Sequence, residues 1–140
     1  MSTVLQIYEA IDRLAPFFLS MDFDNTGILV GDRQKKVGRT LLALDCTKEV
    51  LCQAKELGAQ LIITHHPIIF HPIKRVNEDS LVYHLLRSDI AVISAHTNLD
   101  IAQGGVNDLL AKRIGLSDCR GLQPMDAQGT FFLGRIGSLP

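Results

Sequence analysis

At 140 residues, with 46% hydrophobic and 21% charged side chains, the chain has the size of one domain and enough apolar material for a real core. Its net charge of −1 argues against nucleic-acid recognition through a broad basic surface. No apolar stretch approaches the roughly 18 residues of a membrane span, and Met1-Ser2-Thr3-Val4 does not open a signal peptide.

Thr3 begins a first helix, with Gln6 completing a capping box and Val4, Ile7, Ile11 and Leu14 forming the apolar stripe. Pro16 ends it, and Phe17-Phe18-Leu19 packs under a sheet. The segment Met21 to Asn25 reads as a loop, and Gly27 and Gly31 bracket a short strand. Gln34 to Gly38 reads as a basic, solvated loop. Thr40 to Asp45 is a strand, and Thr47 caps a helix over Lys48 to Leu57 with Val50, Leu51, Ala54 and Leu57 inward. Gly58 stops that helix.

Ala59 to Thr64 is the next strand, and it runs straight into His65-His66-Pro67. Pro67 holds His66 extended and prevents continuation. Pro67 to Asn77 is a loop whose apolar Ile68-Ile69-Phe70 covers a site or meets a partner. Asn77 or Asp79 caps a helix through Arg87, with Leu81, Val82, Leu85 and Leu86 buried. Ile90 to Ser94 is a strand that also ends in polar groups, among them His96 and Asp100. Gly104-Gly105 precede a helix over Val106 to Ile114, whose first N–H groups could receive a phosphate or carboxylate. Leu116 to Gly129 turns polar and irregular, and Thr130 to Ile136 is a last strand.

This order predicts an α/β fold: a mostly parallel sheet with helices on both faces. A closing strand with no covering element after it suggests a longer natural chain. Three cysteines, Cys46, Cys52 and Cys119, lack CxxC spacing and read as reduced thiols of a cytoplasmic protein.

Strand ends at the carboxyl edge of such a sheet are where sites form. His65, His66 and Asp100 are the candidate metal ligands, since imidazole and carboxylate suit zinc, iron, manganese or cobalt alike. Adjacent histidines serve two metals, or one metal and one supporting role, more easily than a single ion. His96 is the candidate catalytic group, able to orient a carboxylate, donate to a substrate or shuttle a proton. Asp24, in its loop, can come near the same edge, with local loop capping as the competing account. Walker A, GxGxxG and HExxH patterns are all missing.

Together these segments resemble the NIF3-like (DUF34) family, whose members carry the label GTP cyclohydrolase 1 type 2 homologue. The matching residues are Asp24-Asn25-Thr26-Gly27-Ile28-Leu29-Val30-Gly31, Thr64-His65-His66-Pro67, Ser94-Ala95-His96-Thr97-Asn98-Leu99-Asp100, Gly104-Gly105-Val106-Asn107-Asp108 and Gly134-Arg135-Ile136-Gly137. The resemblance implies a NIF3-like α/β fold, a toroidal homohexamer and two divalent metal ions (Zn, Fe or Mn) per subunit. It implies that His65 and His66 belong to different metals and that Asp100 joins the second. The family's remaining ligands, a histidine and a glutamate, come from a C-terminal half, so residues 1–140 would be the N-terminal portion with an incomplete site. The function expected is metal-dependent hydrolysis of a nucleotide or related small molecule by metal-activated water. The alternative is a non-enzymatic metal-binding scaffold or regulatory protein working through partner contacts.

Overall fold

The computed structural model describes residues 1–140. Its centre is a four-stranded sheet in the order β2-β6-β5-β4, formed by β2 (Gly27–Val30), β4 (Thr40–Ala43), β5 (Leu61–Thr64) and β6 (Ala91–Ser94). The last three are parallel and β2 is an antiparallel edge. Helices cover both faces, as the apolar pattern predicts. On one face α2 (Lys48–Glu56) and α3 (Leu81–Arg87) lay Leu51, Ala54 and Leu85 against Ile62 and Val92. On the other, α1 (Val4–Leu14) packs Val4, Ile7 and Ile11 against Leu61, Ala91 and Ile93. Alternating residues of β5 therefore feed two cores, and each fully buried Leu or Ile stabilises by about 1.5–3 kcal/mol.

The helix starts follow local chemistry. Thr3 and Gln6 make the reciprocal capping box on α1, and Thr47 caps α2 through the Val50 N–H. Gly58 takes a left-handed φ of +62° after α2. Leu14 departs from the predicted stripe and is 77% exposed, because Ala15 already turns the chain away. Phe17 stacks on Tyr8 and Leu19 is buried, but Phe18 between them faces outward. Leu57 and Leu86, read as inward, sit at or past the last turns of their helices and are exposed.

Other expectations are corrected. The supposed solvated loop at Gln34 to Gly38 contains β3 (Lys36–Val37), antiparallel to β1 (Ser2–Thr3), and Val37 is buried. Ser80, not Asn77 or Asp79, caps α3 by accepting from the Tyr83 N–H. The polar stretch after Leu116 forms β7 (Ser117–Pro124), which pairs with β8 (Phe132–Ser138) as a separate antiparallel hairpin. Between Ser94 and Gly104 lies a short helix, α4 (Thr97–Ile101), and α5 (Val106–Ile114) follows it. Of the Ile68-Ile69-Phe70 patch, Ile68 and Ile69 pack against the α2/α3 core and only Phe70 is exposed. That removes most of the surface offered to a partner. Just before the N-terminus of α5, the Gly104 N–H donates to the Asp108 carboxylate at 2.6 Å.

Candidate metal centre

The ladder of the three parallel strands builds the site. Ala43, Thr64 and Ser94 stand side by side in register. Two residues beyond each of them come Asp45, His66 and His96, all emerging at the carboxyl edge. The ladder extends past the strands, with the His66 N–H donating to the Leu44 carbonyl (3.0 Å) and the Ala95 N–H to the Thr64 carbonyl (2.9 Å). Inside the edge, Thr64 and Ser94 share a buried hydroxyl hydrogen bond of 2.8 Å, and Thr64 Oγ1 also donates to the His66 carbonyl (2.8 Å). The backbone that carries the histidines is thereby fixed from below.

His65, His66 and His96 converge, each offering one donor atom, with these atoms all within 4.8 Å of one another. The three rings lie 5.0–5.6 Å apart, centroid to centroid. Each ring is held through Nδ1 by an oxygen. His65 Nδ1 meets the Ala95 carbonyl at 3.0 Å, His66 Nδ1 meets Asp45 Oδ1 at 2.7 Å, and His96 Nδ1 meets Asp24 Oδ1 at 2.9 Å. A carbonyl or carboxylate oxygen only accepts, so each Nδ1 carries the proton and each Nε2 keeps a free lone pair. Carboxylate or carbonyl behind an imidazole is the usual outer partner of a metal-binding histidine.

Asp24 is the most tightly held of these partners. Its side chain is 0% exposed and it accepts from the Thr97 N–H (3.1 Å), the Thr97 hydroxyl, the Asn25 N–H (2.8 Å) and His96. Burial alone would raise its carboxyl, but the hydrogen bonds from Thr97, His96 and Asn25 outweigh burial and hold it below the usual carboxylate range. Asp45, by contrast, is half exposed. Asp100 lies on α4 rather than at a strand end, and its Oδ1 stands 3.6 Å from His65 Nε2. The Asn107 side-chain amide donates to the Asp100 carbonyl at 2.9 Å and ties α5 to this turn.

The sequence-predicted residues His65, His66, His96 and Asp100 thus share one region. Asp45 was not foreseen as part of it. Its signal was present: a carboxylate two residues past the strand run Thr40 to Ala43, at the edge where His66 emerges. His71 and His84 lie outside the cluster.

The family model for Duf34/NIF3 (NGG1p interacting factor 3) matches residues 2–140. This chain belongs to the Duf34/NIF3 family. Among its Duf34/NIF3 relatives, a Clostridium perfringens protein named GTP cyclohydrolase 1 type 2 homolog is 41% identical over 141 residues, covering 95% of this chain and 52% of its own length. The crystal structure of a Bacillus cereus protein related to NIF3 superposes with a TM-score of 0.83 at 40% identity, covering 88% of this chain and 35% of that one. Reduced HcgD from Methanocaldococcus jannaschii gives a TM-score of 0.81 at 34% identity, covering 89% and 51% respectively. The chain spans about half the length, or less, of these relatives. No helix is long and apolar enough to cross a membrane.

Proposed function

We propose that residues 1–140 are the metal-holding portion of a longer Duf34/NIF3 protein. In this reading His65, His66 and Asp100 hold divalent cations, two of them in the longer protein, at the carboxyl edge of the sheet. One observation carries the reading: three converging imidazoles have Nδ1 already engaged by oxygen acceptors, which leaves Nε2 of each free to bind a cation. The donor set of imidazole nitrogen and carboxylate oxygen fits zinc, iron or manganese. Bound there, such cations would supply Lewis acidity, lowering the pKa of water toward neutrality and offsetting charge that develops on a substrate.

The chain's own residues contribute position. The Thr64–Ser94 hydroxyl pair fixes the backbone under His65 and His66, and the Ala95 carbonyl and Asp45 set the ring orientations. Hydrolysis of a nucleotide or related small molecule is the reaction class this supports best, in keeping with the name of the Clostridium perfringens relative. A cytoplasmic, ring-shaped homo-oligomer is the assembly we propose with it.

The test is calorimetric titration of the chain with Zn²⁺ and Mn²⁺, alongside a nucleotide-hydrolysis screen on a metal-loaded longer protein carrying these residues. His66→Ala and Asp100→Ala are each expected to weaken metal binding at least tenfold and to abolish turnover, with unchanged far-UV circular dichroism. Wild-type affinity in both variants would overturn the metal assignment, and full turnover in both would overturn the hydrolase assignment.

A further inference from the structure

Two segments singled out in the sequence, Gly104 to Asp108 and Gly134 to Gly137, meet where α5 packs against the β7–β8 hairpin. Arg135 of β8 donates through Nε to Asp108 of α5, and through Nη1 to the carbonyls of Phe132 (3.0 Å) and Gly134 (2.9 Å). Its side chain is only 10% exposed, yet the N–H groups of Nη2 have no acceptor in the chain. Nη2 is not sealed off, because Asn98 Oδ1 is the one fully buried side-chain polar atom without a partner. A cavity of about 410 Å³ opens beside Arg135, and Lys112 of α5 and Arg120 of β7 line it as well. Neither Lys112 nor Arg120 has an ion-pair partner. The one carboxylate in the wall, Asp108, is already engaged by Arg135 and by the Gly104 N–H. A purely structural tie between helix and hairpin accounts for Arg135 Nε. It leaves Nη2, Lys112 and Arg120 without a purpose.

We infer that this cavity between α5 and the hairpin is an anion site for a phosphate-bearing small molecule, held by Arg135, Arg120 and Lys112 without any metal. None of the histidines lines it, so the inference does not rest on the metal-binding reading. Three cations against one committed carboxylate leave two positive charges uncompensated in its wall. Guanidinium N–H groups match the geometry of phosphate oxygens, and a lysine adds a mobile point charge. Arg135 is fixed by its own hydrogen bonds before a ligand arrives, which lowers the ordering cost of binding. The C-terminal end of a helix ordinarily repels anions. At α5 that end is capped: the Ala111 carbonyl accepts from the Leu116 N–H (3.0 Å) and the Lys112 carbonyl from the Gly115 N–H (3.2 Å). Gly115 and Gly121 add no side chains to the wall. The volume lies within the range of small-ligand pockets, about 300–1,000 Å³, with room for more than one phosphoryl group.

The experiment titrates pyrophosphate into the 140-residue chain by calorimetry, in buffer stripped of divalent cations with a chelating resin. One pyrophosphate per chain is expected. Lys112→Gln and Arg120→Gln, both at exposed positions, should each weaken binding about threefold or more, and the double variant about tenfold or more. Lys55→Gln, on the exposed side of α2, is the control and should bind as wild type. Cys119 lines the cavity and Cys52 does not, so alkylation locates the ligand. Saturating pyrophosphate should slow iodoacetamide modification of Cys119 and leave that of Cys52 unchanged. GTP and pyrophosphate separate the two sources of this chemistry: about tenfold tighter binding of GTP marks a nucleotide and parity marks a free phosphate, and either supports phosphate recognition. Absence of binding, wild-type affinity in the double variant, or a Cys119 as unprotected as Cys52 overturns the inference. Citrate binding as tightly as pyrophosphate overturns the assignment to phosphate. Because no metal is present, none of these results bears on the histidine cluster.

Discussion

Adjacent glycines at 104 and 105 link α4, which carries Asp100, to α5, and the structure requires each for a different reason. Gly104 has φ +72° and open space where a Cβ would stand. An alanine there costs the left-handed backbone, about 1–2 kcal/mol, less a few tenths recovered from a stiffer unfolded chain. Gly105 has an ordinary φ of −76°, but a Cβ on it would lie 1.9 Å from the Leu99 carbonyl oxygen and 2.8 Å from that of Ala102. Neither neighbour is a flexible side chain, so backbone must move by more than about 1 Å. Overpacking of that kind costs about 3 kcal/mol, at the upper end of its usual range or beyond. Gly105→Ala is therefore expected to lose about 2 kcal/mol more than Gly104→Ala, roughly a 30-fold difference in unfolding constant. Urea denaturation followed by circular dichroism, with unchanged m-values, measures it. Because Leu99 precedes Asp100, Gly105→Ala should also weaken metal binding, whereas Gly104→Ala should not. Equal losses of stability in the two variants would refute the steric argument.

Other expectations follow from the same contacts. Thr64→Val removes the acceptor of the buried Ser94 hydroxyl and the donor to the His66 carbonyl, and should cost about 1–3 kcal/mol in a urea melt. Asp108 is held below the usual carboxylate range, first by its hydrogen bond from Arg135, against a smaller burial effect. The lowered folded value means its contribution is present above the unfolded value near about 3.9 and is lost as pH falls through the lower folded one. At a third exposed, the pair is worth about 1 kcal/mol after screening, so wild type and Asp108→Asn should differ at pH 7 and converge only as pH falls below the lowered folded value. Burial pushes the Cys46 thiol up to about 11, so at pH 8 it stays protonated. Iodoacetamide should modify the exposed Cys52 and Cys119 well before Cys46, read by peptide mass spectrometry. Equal rates at the three cysteines would contradict the burial argument.

Much of the fold was legible because its signals are local. The Thr3/Gln6 box, the Gly58 stop and the β-branched runs before His65 and His96 each state their conformation within a few residues. What escaped depends on partners distant in sequence. Lys36–Val37 is a strand only because Ser2–Thr3 lies beside it, and Val37 is buried only because Leu61 and Ile93 are there. Ser117–Pro124 has a polar, glycine-containing sequence with no alternation, and its exposed side chains give a pattern search nothing to find. Its pairing with Phe132–Ser138 supplies the order. The histidine cluster was legible, and Asp24 was placed near its edge, but the pairing of His66 and His96 with their supporting carboxylates was not. Asp24 lies 72 residues from His96, and Asp45 lies 21 from His66, so neither pairing has a local spacing to betray it.

The supports also make the three rings unequal, and the inequality bears on how the site works. His65 is oriented by a backbone carbonyl that no substitution can remove without moving β6. His96 is oriented by a carboxylate with no exposure and four hydrogen bonds. His66 leans on Asp45, and both are about half exposed; a surface pair of this kind is worth about 1 kcal/mol or less. Two of the rings are thus pre-set and the third adapts. In the proposed metal-binding role, a rigid pair would reduce the ordering cost of capturing a cation, while a yielding third ring would let the site adjust to ions of different radius. Asp45→Asn should accordingly change the ring signals of His66 in ¹⁵N NMR less than Asp24→Asn changes those of His96, because the first loosens a ring that is already loose and the second releases one that is held. The reverse order in the same spectra would place the firm end of the site at the solvent edge, contrary to the burial of these carboxylates.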